Sequence, residues 1–308
     1  MFMVCGKALM DVFALGETNT GTTLDARFGG SPFNVAVALA RLAQPVAFFG
    51  AVSNDFLGER LMRALGAEGV DTRAVARTHA PTTLSLVGLD AAGVASYAFH
   101  GEGGADRQLG TAALQRVSAG VRALHVGSYA SVVEPIASTL RALVKREHGR
   151  ALVSYDPNIR LNVEPDLARW KAQLEWMLPR CDLLKVSEED LALLFPGRAA
   201  ADFAAHALAQ GTAAVVVTRG AMGAMAWTAN ASAAAPGVKV EVVDSVGAGD
   251  AFQAATLAWL AEHDALTRAA LARLSHASWQ SALSFAARAA AITCSRRGAD
   301  TPRRGELA

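Results

Sequence analysis

Short apolar runs alternate with amphipathic stretches along most of the chain. VAFFGAV (46–52), VRALHVG (121–127), ALVSYD (151–156), DLLKVS (182–187) and AAVVVT (213–218) are continuous rather than alternating. Strands of that kind are buried on both faces, as in a parallel sheet covered by helices. Between them, FNVAVALARLA (33–43), FLGERLMRALGAE (56–68), PIASTLRALVKRE (135–147) and LARWKAQLEWML (167–178) carry the helical period. Repeated strand-then-helix units predict a doubly wound α/β fold with a mainly parallel sheet and right-handed crossovers. MFMVCGKALMDVFAL, interrupted by Lys7 and Asp11, reads as a first core strand with Asp11 at its end. VKVEVV (238–243) reads as a late strand, and the residues after Pro302 as a frayed tail. Trp170, Trp176, Trp259 and Trp279 fall in helical patterns and are expected to pack.

Two segments break the rhythm. Residues 12–28 are rich in Gly and Thr and lack a helical period. Residues 82–100, TTLSLVGLDAAGVASYAFH, are two β-rich runs joined by DAAG, a hairpin signal. Together they predict a small β-sheet lid standing off one unit spanning 1–308, although a surface hairpin without function has the same pattern. A lid would shield a reaction from water.

Composition narrows the function. Of 308 residues, 52% are hydrophobic and 19% charged, enough for a large core and unlike a disordered chain. With 29 Lys plus Arg against 28 Asp plus Glu, the chain has no basic footprint for nucleic acid or an anionic membrane. Cys5, Cys181 and Cys294 lie far apart, which suggests reduced thiols rather than a disulfide or zinc framework. The start lacks a basic leader and a cleavage site, and no apolar run reaches the ~18 residues of a membrane span. A soluble cytoplasmic protein is expected.

The strongest local signal is Asp244-Ser245-Val246-Gly247-Ala248-Gly249-Asp250, leading into the helical AFQAATLAWLAEH. Glycines allow close backbone approach to a ligand, and a helix starting near Gly249 would aim free N–H groups at one anion. Asp250 beside that anion is better placed as a base for an approaching hydroxyl than as a phosphate ligand. An ordinary capped glycine turn remains the alternative. Gly29-Gly30-Ser31-Pro32-Phe33-Asn34 is a weaker signal of the same type, with Pro32 suited to a first helical turn. Asn34 offers a donor and an acceptor for hydroxyls, and Asp11 is suited to a hydroxyl pair or to a turn.

GGSPFNVAVALARLAQPVAFFGAVSNDFLGERL (29–61) resembles the N-terminal signature of the PfkB, or ribokinase-like, carbohydrate kinases, and DSVGAGDAFQAA (244–255) their C-terminal signature. VTRGAMGA (217–224) is similar to their nucleotide-side segment. VCGKALMDVF, PTTLSLVGLD, GGADRQL (103–109) and YDPNIR (155–160) are most similar to bacterial fructokinases. The resemblance implies an ATP-dependent sugar kinase that converts D-fructose to fructose 6-phosphate. A kinase of 2-keto-3-deoxygluconate or of another sugar is the alternative, and a non-catalytic sugar-binding regulator the alternative of another class. It also implies Asp250 as general base, and Gly247, Ala248 and Gly249 as the anion hole. Asp11, Gly30, Asn34 and Arg160 would hold the sugar, while Thr218, Gly220 and Gly223 shape the nucleotide site. Asp244 with carbonyls near Gly298 would surround a monovalent cation such as K⁺. Mg²⁺ would bridge the nucleotide phosphates with Asp190 on its side, and two copies would pair through their lids.

Several positions depart from that pattern. Lys7 stands where many fructokinases carry Glu. Ser187 replaces Asn and Asp190 replaces Glu in the N-x-x-E motif, so SEED (187–190) also fits a helix capping box. Lys185 is a candidate phosphate contact, although strand-end lysines usually face water. Ala287 replaces an Asn that often borders the adenine. A Walker A loop and a G-x-G-x-x-G fingerprint are absent, which weakens P-loop kinase and dinucleotide dehydrogenase readings.

Overall fold

The computed structural model describes residues 1–89 and 95–307. Its central sheet runs β14 (Ser232–Ala235), β13 (Ala224–Thr228), β12 (Ala214–Thr218), β11 (Leu183–Ser187), β10 (Leu152–Asp156), β9 (Ala123–Gly127), β1 (Phe2–Cys5), β4 (Val46–Phe49). From β12 to β4 every pairing is parallel, and β13 and β14 add an antiparallel edge.

Alternation along the strands explains the two helical layers. Phe2 and Val4 of β1 join one apolar core with Val46 and Phe48 of β4, whereas Met3, Cys5, Ala47 and Phe49 join a second. Side chains two apart share a face, so these are the two sides of the sheet. Helices α1 (Ser31–Arg41), α2 (Phe56–Ala67), α7 (Ala248–Glu262), α8 (Arg268–Arg273) and α9 (His276–Cys294) cover the first side. Helices α3 (Ile136–Glu147), α4 (Leu167–Met177), α5 (Glu188–Leu194) and α6 (Ala200–Ala209) cover the other. Trp170 and Trp279 are fully buried, Trp259 is nearly so, and Trp176 packs half-buried.

The second sheet has the order β3 (Gly21–Gly29), β2 (Leu9–Thr18), β7 (Leu84–Leu89), β8 (Ala95–His100). Two antiparallel pairs are joined by a parallel β2–β7 contact. The anticipated lid segments therefore do pair, with strands starting at Leu9 and ending at Gly29; DAAG (90–93) lies outside the described residues. A short parallel pair, β5 (Ala51–Ser53) with β6 (Ala76–Thr78), completes the strands.

Three expectations need correction. The N-terminal apolar stretch is two strands in different sheets, so Asp11 lies within lid strand β2. Gly6 divides them: it has φ of 142°, and a Cβ there would stand 2.6 Å from Pro32 Cγ. VKVEVV is not a strand; β14 ends at Pro236, which has no N–H to extend a ladder, and Val238, Val240, Val242 and Val243 are exposed. The residues after Pro302 are docked rather than frayed. Arg303 pairs with Glu68 at 3.2 Å, Arg304 with Glu262 at 2.9 Å, and Leu307 is buried. Cys5 and Cys181 are buried free thiols, and Cys294 is half-buried. Among the described residues no helix is long and apolar enough to cross a membrane.

Candidate active site

The carboxyl ends of parallel strands are where α/β sheets bind ligands. There, Lys185 of β11 reaches the start of α7 beside Gly249. The helix starts after Gly247, whose φ of 79° is left-handed; a Cβ there would lie 2.5 Å from the Cβ of Ala299. Only glycine makes that turn without strain. Helix α7 is buried on every side from Asp250 to Leu260 and packs against α1 and α9, which fixes where its first turn points.

Asp250 sits in that first turn, 7% exposed, and its Oδ2 accepts from Asn34 Nδ2 at 2.8 Å. Ser31 hydrogen-bonds the same carboxylate. Burial pushes the carboxyl above its usual range, while the Ser31 and Asn34 bonds and the Lys185 charge pull it back. The result is a stronger base than a solvent-exposed aspartate.

Of the three nominated amides, Ala248 N–H is already engaged by the Ser245 carbonyl at 3.3 Å, because the turn folds back before the helix begins. The N–H groups of Gly247 and Gly249 have no protein acceptor among the described residues. Lys185 adds a charge to this corner: its Nζ lies 3.2 Å from where a Cβ on Gly249 would be. Contrary to the usual habit of strand-end lysines, it is 5% exposed and pairs with Asp156 Oδ2 at 2.8 Å. Burial works against its ammonium, but Asp156, Asp190 and Asp250 more than compensate, so it stays charged.

Asp156 was not anticipated. Its signal was present in YDPNIR, as an acid at the carboxyl end of a continuous apolar strand. Its second oxygen, Oδ1, is buried without a hydrogen-bond partner among the described residues. Asp190 lies nearby, its carboxyl raised by burial and by the Asp156 charge, and Oδ1 accepts from Ile159 N–H at 3.2 Å. Ser187 caps α5 by accepting from Asp190 N–H at 3.0 Å, so the capping reading of SEED holds for Ser187 while the Asp190 side chain turns inward. No group of three metal-ligating side chains occurs among the described residues. An orphaned carboxylate oxygen beside a second acid suits a hydrated Mg²⁺ that keeps most of its waters.

On the other flank, Asp11 lies opposite Arg27 on β3 and Ser85 on β7. Burial raises its carboxyl, and Lys7, Ser85 and Arg160 oppose the rise. Gly30 precedes α1 at φ of 103°, so close to the Lys7 carbonyl that a Cβ would be 2.8 Å from it. Arg160 is exposed, its guanidinium bonded at 2.7 Å to the carbonyl of Ile159. Asn34 and Asp250 are in direct contact, and Asp11, Arg160 and Asp250 lie close enough to the buried Lys7 for their charges to act on it.

Thr218 ends β12 next to Ser187. Gly220 and Gly223 shape the following turn with left-handed φ of 54° and 88°, and a Cβ on Gly223 would stand 2.6 Å from Gly237 N. Ala287 is buried in the core. The Asp244 carboxylate accepts from Val246 N–H at 3.0 Å and from Gly298 N–H at 2.8 Å. It therefore staples the two loops expected to meet there through amides. The carbonyl beside it, that of Arg297, accepts from Arg27 Nη1 at 2.8 Å.

A doubly wound sheet, a β-lid and a buried acid at a glycine-started helix define the ribokinase-like class of α/β folds. The pfkB family carbohydrate kinase model matches residues 1–304, and the chain belongs to that family. It is 38% identical over 274 residues to a fructokinase of Rhizobium leguminosarum bv. trifolii, covering 89% of this chain and 84% of that one. Among solved structures it is similar to the fructokinase of Xylella fastidiosa with bound ATP, with TM-score 0.88, 30% identity, and 99% and 96% coverage. The fructokinase of Vibrio cholerae O395, in a fructose-, ADP- and calcium-bound form, superposes with TM-score 0.82 at 28% identity, covering 99% and 97%.

Proposed function

We propose that the protein is an ATP-dependent fructokinase that phosphorylates D-fructose at its 6-hydroxyl. The reading rests on one observation: Asp250 is held against Asn34 at 2.8 Å on the helix turn that leaves the Gly247 and Gly249 amides without protein acceptors. Asp250 takes the hydroxyl proton as the sugar oxygen bonds to the γ-phosphorus and the bond to ADP breaks. The transition state is loose, so positioning and charge stabilisation supply most of the acceleration. The two amides and Lys185 face the charge on the transferred group. Ala248 contributes its place in the turn rather than its N–H. Asp11, Gly30, Asn34 and Arg160 hold the sugar, and Thr218, Gly220 and Gly223 the nucleotide. Asp156 and Asp190 would hold a hydrated Mg²⁺, which would offset the charge of the nucleotide phosphates. Asp244 organises the loop beside which K⁺ would bind.

The chain is read as one kinase unit with its lid over the sugar, working in the cytoplasm. Lids of two copies would pair through the face that leaves Leu15 and Leu24 exposed; a monomer by light scattering removes the pairing without touching the chemistry. ADP release from ATP and Mg²⁺, measured over a panel of sugars with and without K⁺, tests the function. D-Fructose is expected to support turnover. Turnover on another sugar alone overturns the assignment, and sugar binding without any turnover would establish the regulator reading instead.

A further inference from the structure

Gln253 lies in α7 one turn beyond Asp250, on the same side of the helix, and is 1% exposed. Its amide nitrogen donates to Ser154 Oγ at 2.7 Å, and its amide oxygen is buried without a hydrogen-bond partner among the described residues. Ser154 is fully buried in β10, opposite His125 of β9, whose Nδ1 lies 3.1 Å from the same hydroxyl. Burial lowers the His125 imidazole to about 4. The three side chains are therefore neutral near pH 7 and act by geometry rather than by charge.

Asp156 is two positions along β10 from Ser154, so both point to the face of the sheet that α7 covers. Asp156 holds Lys185 at 2.8 Å, and Lys185 reaches the start of α7 beside Gly249. The amide of Gln253 thus ties the helix that carries Asp250 to the strand that holds Lys185. Other contacts of the helix do not make this tie. Ala251, Ala254, Ala255 and Leu257 pack without directionality, and Thr256 Oγ1 donates back to the Phe252 carbonyl at 2.9 Å. Asn34 fixes the Asp250 carboxylate to α1, not to the sheet. Among the described residues, Gln253 to Ser154 is the one side-chain hydrogen bond from α7 to the central sheet. A buried amide oxygen without a partner is costly, and a methionine of similar length would avoid that cost. What glutamine adds is the directional bond.

We propose that Gln253 is a positioning residue for phosphoryl transfer: through Ser154 it fixes the rotation of α7 against β10, and with it the place of Asp250 relative to Lys185. The inference rests on the kinase reading of Asp250 and deepens it.

The test compares the full chain as wild type, Gln253→Met, Ser154→Ala and the double variant, with ATP, Mg²⁺ and the sugar that wild type turns over best. Initial rates are joined by calorimetric sugar binding, thermal unfolding and crystal structures of wild type and Gln253→Met. Gln253→Met is expected to lower kcat about 10- to 100-fold, the scale of a misplacement of about 1 Å, with sugar KM and Kd nearly unchanged and Tm held or raised. Ser154→Ala is expected to lose kcat to the same extent, but with a lower Tm, because it leaves the Gln253 amide and His125 Nδ1 buried without their partner. The double variant should be no slower than the slower single one, as for two residues acting as a unit. Wild-type kcat in Gln253→Met overturns the inference and leaves the kinase reading intact. Losses that multiply in the double variant also overturn it, as does a fall of kcat and Tm together in Gln253→Met, which is the mark of packing alone. If wild type turns over no sugar, the kinase reading fails; the two crystal structures then still decide whether Gln253 sets the place of Asp250, and an Asp250 carboxylate unmoved relative to Lys185 overturns the inference.

Discussion

The two flanks of the cleft are built in opposite ways. On the proposed sugar side, Asn34 of α1 and Asp250 of α7 are buried and bonded to one another, with Lys7 buried just beyond β1. On the side proposed for the nucleotide, residues 220–222 of the turn after β12 lie at the surface, as does the stretch 238–243, with Met222, Val242 and Val243 each more than half exposed. A pre-ordered flank can discriminate, because buried polar groups left unpaired by a wrong ligand are costly. An exposed flank leaves backbone and apolar surface to hold a ligand common to many enzymes. Lys185 meets the start of α7 at Gly249, where the proposed mechanism puts the transferred group.

The largest effect that would test this division is at Asp250. Asp250→Asn should reduce kcat by about 10²- to 10⁴-fold, the usual contribution of a general base, while calorimetric sugar binding survives. The unaltered enzyme should also lose kcat/KM on the acid side at a higher pH than an ordinary aspartate would dictate. Burial raises this carboxyl, and the base must be ionised to accept a proton. Removing the Asn34 bond with Asn34→Ala takes away an interaction that holds the carboxyl down, so the acid limb should move further up in pH. An acid limb that stays put in that variant would separate Asp250 from the rate.

Next comes the boundary residue. Lys185→Met removes a charge from beside Gly249 and leaves Asp156 buried without its partner. Loss of kcat by roughly 10²- to 10³-fold is expected from the missing stabilisation. Breaking the buried pair should also cost about 3–5 kcal/mol in stability. Urea unfolding alongside initial rates checks both. A variant equally stable but slow would mean that Asp156 finds another partner, and a variant fully active would place the phosphoryl group elsewhere.

Lys7 gives a stability effect with a definite sign. Its ammonium titrates near 7 in the fold against an ordinary 10.5. Below about 7 the folded protein carries the full cost of burying that charge, and the cost falls away as pH rises toward 10.5. Lys7→Met should therefore compare better with wild type at pH 6 than at pH 9, by on the order of 1 kcal/mol or roughly 2–4 °C in Tm. A Tm difference that does not change with pH would show that the charge is compensated within the fold.

Much of this architecture was legible in the sequence because continuous apolar runs and helical periods report burial directly. The strands at 152–156, 183–187 and 214–218 and helices α1 to α4 fall where the pattern put them to within a few residues. Less legible was anything set by partners distant in sequence. The end of β1 depends on Gly6 meeting Pro32, and the orientation of Lys185 depends on Asp156, 29 residues away. The engagement of Ala248 N–H is a turn detail that the GAGD motif does not reveal. The C-terminal residues looked frayed because their arginines find their acids just after α2 and at the end of α7, far back along the chain.

The valines at 242 and 243 produced the clearest misreading, and they make the smallest prediction. Alternating V-K-V-E-V-V has the period of a half-buried strand, yet among the described residues its one backbone anchor is Val243 N–H on the Cys294 carbonyl at 2.9 Å, joined by the following Asp244 N–H at 3.2 Å. Those bonds do not involve the side chains, which are 66% and 59% exposed. The double substitution Val242→Ser and Val243→Ser should then change stability by no more than about 0.5 kcal/mol, as for exposed positions elsewhere. The sugar KM should not move, because these exposed side chains make no contact with Asn34 or Asp250 among the described residues. If they pack against the nucleotide, KM for ATP should rise several-fold while kcat holds. A loss of stability well beyond that limit would mean the segment folds against the body of the protein and the nucleotide flank is as pre-ordered as the sugar flank. The contrast between the flanks would then be lost, and selectivity for the nucleotide would have to be sought in the same kind of buried polar contacts that hold Asp250.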